Sequence, residues 1–88
     1  MHIALADGVT LAETDYGTVL LDGRRGSYWQ LNETGTRIAR TLIGGGTREH
    51  AAEVLCTEFS VDVTRALRDV DVLVQELLAA GVVQETAG

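Results

Sequence analysis

Two periodicities divide this chain. Up to residue 31 apolar and polar positions alternate loosely, the period of half-buried strands; beyond it apolar residues recur every three to four positions, as helices require. His2–Ala6 and Val9–Thr14 flank an Asp7-Gly8 turn signal, and Asp15-Tyr16-Gly17 marks a second turn. Thr18–Leu21 is β-branched and leucine-rich. Gly23 and Gly26, flanking Arg24 and Arg25, supply the loop that returns the chain through Ser27–Leu31. Consecutive strands joined by short turns usually pair, so the pattern predicts a meander of three antiparallel strands. His2–Ala6 reads either as a short extra strand or as a disordered tail.

Three helices are predicted next. Asn32 is a good N-cap, Glu33 suits the first turn, and Ile38, Ala39, Leu42 and Ile43 form one stripe that Gly44-Gly45-Gly46 ends. Thr47 caps a second helix in which Ala51, Val54, Leu55 and Phe59 share a face. Asp62 caps a third, from Val63 to Ala80, stopped by Gly81. Its wide stripe is Val63, Ala66, Leu67, Val70, Leu73, Val74, Leu77 and Leu78, while Val72 lies off it beside Asp69 and Glu76. Val82 and Val83 form a short extended piece, and the last few residues read as frayed. The class is α+β: a three-stranded antiparallel sheet followed by three helices. Eighty-eight residues make one domain, 1–88, with its core in about 9–83.

The strand Ser27–Leu31 lacks a partner on one flank. Tyr28, Trp29, Gln30 and Leu31 include no Pro, no Lys and no inward charge, the usual devices that stop an edge strand from pairing with a stranger. An undefended edge suits the addition of an extended peptide as one more strand. Alternation puts Tyr28 and Gln30 on one face and Trp29 and Leu31 on the other. One pair helps to form the core; the pattern does not say which. If the third helix lies beside this edge, Asp69, Val72, Leu73 and Glu76 line a groove. Arg24 and Arg25 read most simply as solvated loop residues.

Composition narrows the function. Thirteen acids against seven basic residues, all arginine, give a net charge of −6, the reverse of what phosphate contacts want. No apolar run approaches the roughly 20 residues of a membrane span, and no secretory signal opens the chain. A single cysteine, Cys56, suits a reducing cytoplasm. Cys56 falls mid-helix near the core stripe, and neither His2 nor His50 is spaced to make a dyad or a metal site with it. Nothing here calls for a catalyst, a metal or a cofactor.

The run LLDGRRGSYWQLNETG (residues 20–35), the Gly-rich loop after the first helix and the ending DVDVLVQELLAAGVV (residues 69–83) closely resemble the PqqD-like peptide chaperones. Within that family the chain resembles the stand-alone recognition elements of lasso peptide biosynthesis. The resemblance covers about Val9 to Val83 and contains no catalytic motif. It implies a winged helix-turn-helix that binds the leader segment of a ribosomally made precursor as a fourth antiparallel strand. Carried over by position, the leader site comprises Ser27, Tyr28, Trp29, Gln30 and Leu31 on the strand and Asp69, Val70, Val72, Leu73 and Glu76 on the third helix. The implied partners are a cysteine leader peptidase and an ATP-dependent lasso cyclase, with no nucleic acid and no membrane.

Two other readings compete. Three helices with a β-wing is also a DNA-reading shape, in which Arg24 and Arg25 would touch the backbone; Asp69, Asp71 and Glu76 beside Arg65 and Arg68 oppose it. The same bare edge could also join two copies of the chain.

Overall fold

The computed structural model describes residues 2–86. Five strands and three helices follow in the order β1 (His2–Leu5), β2 (Val9–Thr14), β3 (Gly17–Asp22), β4 (Ser27–Leu31), α1 (Glu33–Ile43), α2 (Arg48–Phe59), α3 (Val63–Ala80) and β5 (Val83–Thr86). β2, β3 and β4 form the expected antiparallel meander, with β3 in the middle.

Each helix starts where its cap residue dictates. The side chains of Asn32, Thr47 and Asp62 accept hydrogen bonds from the backbone N–H of Gly35, His50 and Arg65 at 2.8, 3.0 and 2.8 Å. Each satisfies a donor that the first helical turn would otherwise leave unpaired. Gly81 ends α3 in the left-handed region, at φ 75°, where a Cβ is disfavoured.

Of the two readings of the N-terminal segment the strand holds: His2–Leu5 is a short extra strand, which pairs antiparallel with β5 in a separate two-stranded sheet, His2 opposite Thr86 and Leu5 opposite Val83. Glu85 and Thr86 are therefore held in a strand rather than frayed, while 87 and 88 lie outside the described residues. Ile3 and Ala6 join the core, so burial begins well before Val9.

That core lies between the sheets and the helices. Leu20 and Leu31 from the meander, Ile38 and Leu42 from α1, Leu55 from α2 and Val70, Val74 and Leu77 from α3 are all buried. α1 packs on β1, β3 and β4, whereas α3 packs on α2 and β5. α3 therefore stands off from β4. Val63, expected on the apolar stripe, is exposed, because it opens α3 beyond the reach of the core.

A bare strand edge beside a groove

Alternation in β4 resolves in favour of Trp29. The cross-strand rung Leu20–Trp29 and the rung Thr18–Leu31 face the helices, and Leu20, Thr18 and Leu31 are buried with Trp29 half-buried against them. The rung Leu21–Tyr28 faces away, leaving Tyr28 69% exposed. Ser27 and Gln30 are exposed too. One flank of β4 pairs with β3; among the described residues no strand pairs with the other.

The chain leaves that edge at Asn32, which is also where a groove of about 370 Å³ opens. One wall is the start of α1, with Asn32, Thr34, Gly35 and Ile38; the other is a single face of α3, with Arg65, Asp69, Val72, Leu73 and Glu76. Gly35 lets the first turn of α1 lie close to the strand end, for a Cβ there would stand 3.3 Å from Asn32 Oδ1 and 3.5 Å from Leu31 Cβ. Spacings of four, three, one and three residues put the five α3 positions on one side of the helix. Asp69, Val72, Leu73 and Glu76, expected to face the edge strand across a groove, line this one opposite the start of α1 instead, and of the chain around β4 only Asn32, just past its end, reaches it.

Val70 is different. At 1% exposure it belongs to the core beneath the groove, on the same buried stripe as Ala66, Val74 and Leu77. Its side chain supports the α3 wall and does not present a surface to a ligand. Leu31 is likewise buried and offers its backbone only.

The acids of α3 have different surroundings. Asp71 is held by Arg48 of α2, whose Nη2 lies 2.7 Å from Asp71 Oδ2, and this guanidinium draws the Asp71 carboxyl below its ordinary value of 3.8. Asp69 has Arg65 one turn back at 3.9 Å. Glu76 has no ion-pair partner among the described residues and faces the groove.

Sequence reasoning missed the hairpin tip. Arg24 and Arg25 are partly solvated, yet both reach the end of α3: Arg24 Nη2 donates to the carbonyl of Gly81 at 2.9 Å and Arg25 Nη1 to that of Ala80 at 2.8 Å. These are carbonyls that a helix end leaves without intrahelical partners, and a cation there complements the helix dipole. Asp22, 2% exposed, organises the tip by accepting from Arg24 N and Arg24 Nε, both at 3.0 Å. The Arg24 guanidinium holds its carboxyl below 3.8 despite the opposing effect of burial. The two arginines that a DNA-reading wing would need are thus occupied by the protein's own backbone.

A second depression of about 480 Å³ lies between the β2–β3 turn and α1, lined largely by charged residues such as Glu13, Glu33, Arg37 and Arg40. Arg40 pairs there with Glu13, and Arg37 with Glu58. Among the described residues no group of three or more His, Cys, Asp and Glu side chains could hold a metal ion. Also among them, no helix is long and apolar enough to cross a membrane.

Two solved structures share this architecture. Lasso peptide synthetase B1, complexed with the leader peptide, is 40% identical, with a TM-score of 0.91 over 97% of this chain and 100% of that one. TbiB1, in complex with the TbiA(beta) leader peptide, is 29% identical, with a TM-score of 0.83 over 97% of this chain and 99% of that one. No curated protein sequence matches. The family model described as coenzyme PQQ synthesis protein D matches residues 17–83, a span that takes in β3, β4, all three helices and both walls of the groove. The chain belongs to the PqqD family.

Proposed function

We propose that this protein captures the leader segment of a ribosomally made, lasso-type precursor peptide and has no catalytic role of its own. The leader adds to β4 as a fourth strand and packs against α3. The observation that carries this reading is the unpaired flank of β4 running into a groove whose far wall is one face of α3. Strand addition divides the work between main-chain hydrogen bonds, which give affinity, and side-chain pockets, which give selectivity.

The dimensions agree. From Arg65 to Glu76 the α3 wall rises eleven residues at about 1.5 Å each, about 16 Å. The five residues of β4 span about the same length at roughly 3.3 Å each. A segment of about five leader residues therefore fills the site. Burying one large apolar leader side chain against Val72 and Leu73 contributes about 1.5–3 kcal/mol. Two such anchors with main-chain pairing reach micromolar affinity, about −8 kcal/mol, after ordering costs.

Bound this way, the precursor is delivered to a cysteine leader peptidase and then to an ATP-dependent lasso cyclase in the cytoplasm. Tethering raises the local substrate concentration at those enzymes without any new chemistry in this chain. Neither nucleic acid nor membrane is required.

The test is a titration of a fluorescein-labelled leader peptide, that of the related lasso peptide synthetase B1, into wild type and Leu73→Glu. Leu73 is half-buried at the groove surface, so the variant keeps its fold while placing a charge where an apolar anchor docks. Binding weakens at least about tenfold, the equivalent of one lost anchor. Unchanged affinity in a variant with an unaltered circular dichroism spectrum would reject the groove.

A further inference from the structure

A strand seated on β4 has two faces, and the groove meets only one of them. Side chains of successive residues point to opposite sides of a sheet, so every second leader residue faces away from α3. It arrives on the outer face of the meander, where register places Thr10, Leu21 and Tyr28 in one row and Ala12, Val19 and Gln30 in the next. None of these six positions is charged, in a chain that carries thirteen acids and seven bases. Leu21 is 43% exposed and Tyr28 69%. Tyr28 has Leu21 on its β3 side; on its other side, among the described residues, no strand supplies a neighbour.

We propose that Tyr28, backed by Leu21, is a specificity-determining residue that selects an aromatic or β-branched side chain at an outward-facing position of the leader. The inference rests on the strand addition argued above and extends it, because the outer face is continuous with the edge the leader occupies. Recognition is then two-sided. Val72 and Leu73 read leader residues of one parity, and Tyr28 reads the other. An uncharged row gives no electrostatic reward to a charged leader residue, whereas aromatic and β-branched cross-strand neighbours stabilise such rows. Each pair of this kind is worth roughly two- to fivefold in affinity.

The experiment crosses two disruptive protein variants, and Tyr28→Phe as the conservative control, with an alanine scan of the labelled leader peptide from the related lasso peptide synthetase B1. Tyr28→Thr keeps a strand-forming residue at an exposed site; Leu73→Ala shortens the groove wall. Tyr28→Thr weakens binding roughly two- to fivefold, Tyr28→Phe restores it, and the loss couples to leader positions of one parity only. Leu73→Ala couples to the opposite parity. The proposal is overturned if Tyr28→Thr changes no affinity, or if it couples to the positions that Leu73 reads. It is equally overturned if light scattering shows a dimer that Tyr28→Thr dissociates, for the outer face then belongs to a second copy. Failure of the underlying strand addition looks different: wild type does not bind the labelled peptide, or binding ignores both variants.

Discussion

Asp22 is a buried carboxylate whose partners all lie on the hairpin tip, and through Arg24 it also reaches the end of α3. Its carboxyl is held below the ordinary value of 3.8, so its contribution to stability is complete above that value and declines as pH falls through the lowered one. Asp22→Asn should therefore melt at a lower temperature than wild type at neutral pH, and the gap should close as the buffer is taken from about pH 7 to about pH 2.5. Thermal melts followed by circular dichroism check this, and a gap independent of pH would refute the assignment. Nothing around Arg24 and Arg25 in the sequence announces this role, since the carbonyls they serve are 57 and 55 residues further along. Tyr28 and Trp29 were ambiguous for another reason. Alternation separates two sets of side chains but does not say which set faces the helices. Val70 met the opposite difficulty, for one helical period placed it on the core stripe while the family pattern placed it in the site; burial decides for the core.

The helices and the meander were legible because their signals are local. Asn32, Thr47 and Asp62 cap from within three residues of the groups they satisfy, and Gly81 stops α3 by its own backbone preference. The bare edge was legible by what its residues lack. Its consequence is a prediction about the leader's backbone rather than its side chains. In a strand pair, successive amides point alternately toward and away from the partner. A leader peptide carrying one N-methyl group per variant should lose affinity with a period of two, each loss marking an amide directed at β4. Methyl tolerance along the whole leader, read by the same fluorescence titration, would exclude strand addition. The β1–β5 pairing was not legible. Turn signals pair neighbours along the chain, and no short turn joins His2 to Thr86.

That long-range pair changes the view of the whole molecule. With Ile3 and Val83 both buried, the first and last described strands contribute to one core instead of hanging from it. Ile3→Ala removes buried volume at a residue that does not line the groove and should destabilise the fold by about 2–4 kcal/mol in a urea titration, leaving leader affinity in the folded protein unchanged. A loss of affinity instead would mean that β1 helps to shape the site. The molecule that results is a closed core that leaves the free flank of β4 open beside the groove, which suits the leader capture proposed above. Amide hydrogen exchange at Ser27–Leu31, with and without the leader peptide of the related lasso peptide synthetase B1, tests that description most directly. The account predicts that the amides pointing away from β3 exchange quickly in the free protein and become protected when the leader binds. Protection already present in the free protein, or exchange unaltered at saturating leader, would contradict it.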